Sequence, residues 1–348
     1  MIDIDRAKEN GVLNDTERVN GETTLKSYPK ILQVEISASC NLKCNICARN
    51  EFEYGPGNLP IDLFRSLTFL FPYLERLILH GYGEPLAHPK FAKIMEIVAP
   101  YPCNKSFYTN ATLLTEKKSR DVIAGNVDEV TVSIDSPVKE TFEAIRTGAS
   151  FDKVKKNVEG LIGMRNDMEG EKPNVVIAAV AMTDNVNELP RLVDFAHDMG
   201  ADAVEINYLM AYRKSLVERS LFFDKVRANS ALKKVKDRCI ALGLEARLPD
   251  PFSIEGEGEA KNPEKTCPRP YDFAYVGYDG NVRPCCFPLL YLGNIGDEGF
   301  SDIWNNEKYQ KLRRAFKEDR PPSFCRECLS GTYTDVNSEK CHVSCGLG

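Results

Sequence analysis

From about residue 29 to 245 the chain alternates short β-rich runs with longer amphipathic stretches of helical period. The runs predicted as strands are Ile31–Ser37, Arg76–His80, Lys105–Thr109, Glu129–Ile134, Val175–Met182 and Ala203–Leu209. Between them lie predicted helices such as Lys90–Val98, Glu116–Ala124, Phe151–Met164 and Glu188–Asp198. Strands alternating with helices imply an α/β fold with a parallel sheet and helices on its outer face. Six such units, rather than the eight of a closed barrel, predict an open, partial barrel. Ligands bind such sheets at the carboxyl ends of the strands. Residues 1–28 are polar and interrupted by Asn-Gly pairs, and are predicted to form a loose arm or cap. A Gly/Pro/Glu-rich passage, Leu248–Pro263, opens a cysteine-rich terminal region, giving expected boundaries of 1–28, 29–247 and 248–348.

A chain of 348 residues with 43% hydrophobic content can bury a full core. Its net charge is −6 and its basic residues are dispersed, which argues against nucleic acid as the main partner. No apolar run is long enough to span a bilayer, and the first residues lack the layout of a signal peptide, so the expected setting is cytoplasmic. In that setting twelve cysteines read as metal ligands rather than as a disulfide framework.

The first chemical signal follows the first strand. Cys40, Cys44 and Cys47 are spaced C-x-x-x-C-x-x-C. Three thiolates so placed can hold three irons of a 4Fe–4S cube and leave the fourth open to a ligand. A structural zinc, or unrelated thiols, is the plainer reading of the loop taken alone. Beyond the loop, Gly81-Tyr82-Gly83-Glu84-Pro85 follows the second strand and Ser133-Ile134-Asp135-Ser136 ends the fourth. Together these resemble the radical S-adenosylmethionine (radical SAM) enzymes, in which a reduced cluster cleaves S-adenosylmethionine to a 5′-deoxyadenosyl radical that abstracts a substrate hydrogen. The resemblance implies S-adenosylmethionine contacts from Gly81, Gly83, Glu84, Ser133, Asp135 and Arg146. Glu84 or nearby carbonyls would meet the methionyl ammonium, and Arg146 the carboxylate, for which a planar guanidinium is well shaped. Ser136 reads equally as a helix cap. Asn110 matches the family's Thr-Asn-Gly turn, with Ala111 in place of glycine. Ile46 replaces the aromatic residue that usually precedes the third cysteine.

The terminal region carries Cys267, then Tyr278-Asp279-Gly280 leading to Cys285-Cys286, Leu292-Gly293-Asn294-Ile295, Asp302-Ile303-Trp304, and Cys325-x-x-Cys328. Asp279-Gly280 between β-like flanks is a hairpin signal. This resembles the SPASM and twitch extensions of radical SAM enzymes. The implied fold is therefore a partial (β/α)6 TIM-like barrel with a small C-terminal SPASM/twitch iron–sulfur domain. The implied ligands of one auxiliary 4Fe–4S cluster are Cys267, Cys285, Cys325 and Cys328. Cys341 and Cys345, with His342 between them, would form a partial second site or bind nothing. Cys103 and Cys239 have no matching partners and read as small buried hydrophobes.

The resemblance leaves the reaction open. A dehydrogenase acting on a small polar, sugar- or aminocyclitol-like substrate is the first expectation, with flavodoxin or ferredoxin as electron donor. The second is an epimerase in which Cys286 returns a hydrogen atom. The third is maturation of a ribosomally made peptide, although the short stretch before Ile31 has no room for a fused leader-recognition domain. A non-enzymatic metal-binding module is the reading from another class, and it predicts no cleavage of S-adenosylmethionine on reduction.

Overall fold

Alternation of side chains builds the sheet. Leu32 and Val34 in β1 (Ile31–Val34), Val130 and Val132 in β4 (Glu129–Ser133), and Val204 and Ile206 in β6 (Ala203–Tyr208) are buried together in one apolar core. Each fully buried aliphatic side chain of this kind stabilises the fold by about 1.5–3 kcal/mol. Their neighbours Gln33, Thr131 and Glu205 point the other way, as the two-residue period of a strand requires. A parallel sheet buried on both faces normally reads as continuous apolar residues. The inner face departs from that pattern at Gln33, Thr131 and Glu205, while the strand Asn174–Ala181 keeps it, with Val176, Ala178 and Val180 on the same face.

The structure is a computed structural model that describes residues 5–50, 55–168, 170–211, 214–254, 267–286 and 290–330. The remaining strands are β2 (Arg76–Ile78), β3 (Asn104–Thr109), β5 (Asn174–Ala181), β7 (Glu245–Arg247), β8 (Phe273–Val276), β9 (Asn281–Arg283) and β10 (Gly293–Asn294). They form one sheet in the order β10-β9-β8-β1-β2-β3-β4-β5-β6-β7. Strands β1 to β7 are parallel neighbours in sequence order. Helices Phe91–Val98, Glu116–Ala124, Phe151–Asp167, Leu189–Asp198 and Lys225–Leu242 lie in the crossovers and cover the apolar face. The sheet remains open, with β7 and β10 at its edges.

Six parallel strands were expected and the sheet has more. The seventh, β7, is three residues long and reads Glu-Ala-Arg, too polar to signal a strand. On the other side, β8 pairs in parallel with β1, aligning Gln33 with Tyr275. It then turns through Asp279-Gly280, with Gly280 at φ +82, into antiparallel β9. The cysteine-rich region is thus joined to the barrel through one continuous sheet.

The amino-terminal stretch forms a helix, Asp5–Asn20, rather than a loose arm. It has no apolar stripe, since Val12 and Val19 are exposed, and it docks instead through polar side chains. The Asn14 amide donates to the Tyr271 carbonyl at 2.7 Å, and the Asn10 amide to the carbonyls of Tyr28 and Tyr73. Glu17 accepts from Lys26 N and from the Ser27 backbone and hydroxyl. The buried Trp304 indole donates to the Ser27 carbonyl at 2.9 Å, tying the terminal region to this same corner.

Candidate active site

The three cysteines of the first loop sit at the carboxyl end of β1, and none is in a disulfide. The loop is held from both sides. Lys43 N and Asn45 N donate to the carbonyls of Thr147 and Ile145, while the Asn45 amide donates to that of Ala144. Across the loop, Asn41 donates to the Thr112 hydroxyl at 2.7 Å. The Asn110 amide, at the end of β3, donates to Asn41 at 3.3 Å and makes a long 3.8 Å contact to Cys40 Sγ. Ala111 keeps the left-handed backbone of the glycine it replaces, at φ +54. Burial raises the Cys40 thiol and pushes Cys44 up to about 11, against the pull of Arg146. Metal binding at such thiols releases protons.

The glycine motif after β2 is built for close approach. A side chain at Gly83 would place its Cβ 2.2 Å from the Ser37 carbonyl oxygen and 2.5 Å from the Ala38 carbonyl carbon. At Gly81 it would meet the Tyr275 hydroxyl at 2.3 Å and the Glu35 carboxylate at 2.5 Å. The motif therefore rests directly on the backbone that leads into Cys40, and Glu84 N donates to the Ser39 carbonyl at 2.8 Å. The Glu84 carboxylate turns inward. It accepts from the Thr109 hydroxyl (2.7 Å), Asn110 N (2.8 Å) and Leu86 N (3.1 Å). Burial raises its pKa against those three hydrogen bonds. Its observed part is to clamp β3 to the glycine turn, which leaves the turn's backbone carbonyls as the groups suited to an ammonium.

Asp135 and Arg146, expected as separate contacts, are partners. Arg146 Nε donates to the fully buried Asp135 carboxylate at 2.6 Å, and the other carboxylate oxygen accepts Val180 N at 2.9 Å. Burial opposes the Arg146 charge, but Asp135 and the nearby Cys44 more than restore it, so its pKa rises. Arg146 thus stands between Asp135 and the cysteine loop. Ser133 is half-buried on the inner wall, opposite Ala178. Ser136 is buried, donates to Glu188 and accepts Val138 N in a local turn, whereas the helix that follows, Lys139–Ile145, starts at Val138 without a side-chain cap, so Ser136 is not its cap. Ile46 packs on a small apolar cluster that includes Ile145, Met182 and Leu209.

In the terminal region, burial pushes the Cys325 thiol up to about 12, and the neighbouring Cys267 and Cys328 act in the same direction. Cys286 lies beside Cys328, and Cys285 beside the buried Tyr309. Cys267, Cys325 and Cys328 are thus neighbours, with Cys286 close to Cys328. Cys341, His342 and Cys345 lie outside the described residues. Among those described, no three His, Cys, Asp or Glu side chains converge tightly enough for a single metal ion. Cys103 and Cys239 are buried in the apolar core, as expected.

The sequence model of the Radical SAM superfamily matches residues 34–206, and that of the SPASM iron–sulfur cluster-binding domain matches residues 267–329. The chain belongs to the radical SAM superfamily and carries a SPASM domain. A tungsten-containing aldehyde ferredoxin oxidoreductase cofactor-modifying protein of Pyrococcus furiosus is 27% identical over 326 residues, spanning 86% of this chain and 87% of that protein. Mycofactocin maturase MftC of Mycobacterium tuberculosis is 24% identical over 311 residues, 86% and 75% of the two chains. The fold is shared with Streptococcus suis SuiB bound to S-adenosylmethionine, at TM-score 0.66 and 16% identity over 88% of this chain and 70% of that one. As a radical SAM protein with a SPASM domain, the chain uses 4Fe–4S clusters and S-adenosylmethionine. Its donor set fits them: free thiols on a pinned loop, under a glycine turn that admits no side chain.

Two features of this radical SAM site were not read from the sequence. The Tyr82 hydroxyl, between the two motif glycines, donates to the Cys286 carbonyl at 2.9 Å, and Tyr82 N donates to Glu35 at 2.6 Å. The glycine turn therefore touches both cysteine regions. The second feature is the set of polar side chains on the inner wall, Gln33, Thr131 and Glu205, whose signal was a polar residue between two buried apolar ones in β1, β4 and β6. No helix among the described residues is long and apolar enough to cross a membrane.

Proposed function

We propose that this radical SAM enzyme oxidises a small polar substrate held in the barrel lumen, taking a hydrogen atom from a carbon that bears a hydroxyl and a proton from that hydroxyl, with the remaining electron left for an auxiliary cluster to accept. When bound, the reduced cluster and S-adenosylmethionine supply hydrogen-atom abstraction by a carbon radical. Cys40, Cys44 and Cys47 would hold that cluster. The turn at Gly81 and Gly83 would receive the methionyl group, with Arg146 and Asp135 fixing the far side and Ser133 on the wall. Cys267, Cys325 and Cys328, with one thiol of the Cys285-Cys286 pair, would hold the auxiliary cluster, and flavodoxin or ferredoxin would deliver electrons. The observation that carries the reading is the Tyr82–Cys286 hydrogen bond, because an oxidation needs a second electron-accepting site coupled to the first.

Maturation of a ribosomally made peptide is a second reading, supported by the similarity to mycofactocin maturase MftC. An epimerase using Cys286 as hydrogen donor is the third. Product formed in heavy water by the anaerobically reconstituted enzyme separates oxidation from epimerisation by mass, and turnover of a peptide rather than a small molecule would mark the second reading. Oxidation gives a product lighter by two hydrogens. A product of unchanged composition carrying one solvent deuterium at the abstracted carbon would overturn it in favour of epimerisation.

A further inference from the structure

The inner wall carries a hydrogen-bonded row that the cofactor-binding motifs do not use. His80 follows β2 directly, and its Nδ1 accepts the Tyr108 backbone N–H at 3.2 Å. A backbone amide can only donate, so Nδ1 is unprotonated and the proton of the neutral ring sits on Nε2. Gln33 donates to the His80 backbone carbonyl at 2.8 Å, and the Tyr108 ring packs on the imidazole with centroids 4.6 Å apart, so Tyr108 holds the ring through both its backbone N–H and its side chain. Burial keeps it neutral, lowering its pKa to about 4. Its Nε2–H has no hydrogen-bond partner among the described residues.

Tyr108 continues the row across the lumen. Its hydroxyl donates to Glu205 Oε1 at 2.6 Å, and the Asn207 amide donates to the same oxygen at 2.7 Å. Both donors use Oε1, which leaves Oε2 unengaged among the described residues. Arg247 stands opposite Glu205 on β7, but its guanidinium is committed to Glu129 and Glu245, each at 2.8 Å. Among the described residues, then, no ion pair neutralises this half-buried carboxylate. The lumen therefore offers a fixed N–H donor and an uncompensated anionic acceptor on one continuous row.

We propose that His80 and Glu205 form a substrate-head subsite for a primary ammonium lying beside an oxygen acceptor, as in a vicinal amino alcohol. Glu205 Oε2 would take the ammonium and His80 Nε2–H the oxygen. The inference rests on the reading that substrate binds in the lumen. A charge-assisted hydrogen bond in a partly desolvated site discriminates by about tenfold or more.

Glucosamine and glucose differ only in carrying an ammonium or a hydroxyl at one carbon, and serve as probes. Their binding to the full-length, cluster-reconstituted protein with S-adenosylmethionine is measured by saturation-transfer NMR. Glucosamine should bind at least about tenfold tighter than glucose. Glu205→Gln, whose side-chain oxygen can still accept from Tyr108 and Asn207, should abolish that preference. His80→Asn, whose oxygen can still accept the Tyr108 N–H, should weaken glucosamine by about tenfold. Absent binding of glucosamine, equal binding of the two sugars, or an undiminished preference in Glu205→Gln overturns the proposal. Nitrogen-15 shifts of the four histidine rings give a test that needs no variant: His80 should show a protonated Nε2, and a protonated Nδ1 in the neutral ring overturns the donor assignment. Failure of the wild-type enzyme to cleave S-adenosylmethionine would refute the underlying functional reading instead, and is measured separately.

Discussion

Gly83→Ala puts the smallest side chain where the structure has no room. The new Cβ would sit 2.2 Å from the Ser37 carbonyl oxygen, whereas ordinary contact begins near 3.4 Å, so the two backbones must part by about 1.2 Å. Both are main chain, and no rotamer can relieve the contact. Overpacking of this kind costs about 1–3 kcal/mol. The same displacement would stretch the 2.8 Å bond from Glu84 N to the Ser39 carbonyl towards 4 Å, which is no longer a hydrogen bond. Since Ser39 precedes Cys40, the glycine turn and the cysteine loop would lose their register. A misplacement of about 1 Å can cost roughly 100-fold in rate. The expected result is a protein that folds and binds iron, melts a few degrees lower, and forms 5′-deoxyadenosine about 100-fold more slowly under dithionite. Deoxyadenosine formation within about twofold of wild type would refute the claim that this contact sets the geometry of cleavage.

Arg146→Leu leaves the buried Asp135 carboxylate unpaired, and should destabilise the protein by about 3–5 kcal/mol, read by chemical denaturation. Arg146→Leu/Asp135→Leu should recover part of that loss, and no recovery would argue that Arg146 serves mainly a ligand. Tyr82→Phe removes the bond to the Cys286 carbonyl, and should lower product formed per deoxyadenosine more than it lowers deoxyadenosine itself, a ratio read by mass spectrometry. Cys267→Ala, Cys325→Ala and Cys328→Ala should each reduce iron by about one cluster. Comparing Cys285→Ala with Cys286→Ala identifies the fourth ligand as whichever variant matches that loss.

Much of this fold was legible because its apolar runs are long and regular. The Glu116–Ala124 helix was read to the residue, and Lys105–Thr109 to within one. Strand β1 was expected to reach Ser37 but ends at Val34, because the Ile36 carbonyl accepts Leu59 N from the chain returning after the cysteine loop. That hand-over is a long-range contact with no local sequence signal. The amino-terminal helix was missed because its interface is made of Asn10, Asn14 and Glu17, so polarity resembled a loose segment. At the site, cysteine spacing and paired glycines were visible because close approach and thiolate ligation demand particular residue types. Partnerships such as Arg146 with Asp135, or Tyr82 with the Cys286 carbonyl, depend on which strand ends meet, and spacing alone does not encode them.

The central claim is that Cys40, Cys44 and Cys47 hold the cluster that cleaves S-adenosylmethionine, at a site separate from that of the terminal cysteines. Replacing all three with Ala, reconstituting the protein without oxygen, and measuring 5′-deoxyadenosine together with iron and the electron paramagnetic resonance of the reduced protein tests it most directly. The account predicts no deoxyadenosine, while iron and a cluster signal persist at the terminal site. Deoxyadenosine formed at the wild-type rate by the triple variant would contradict it.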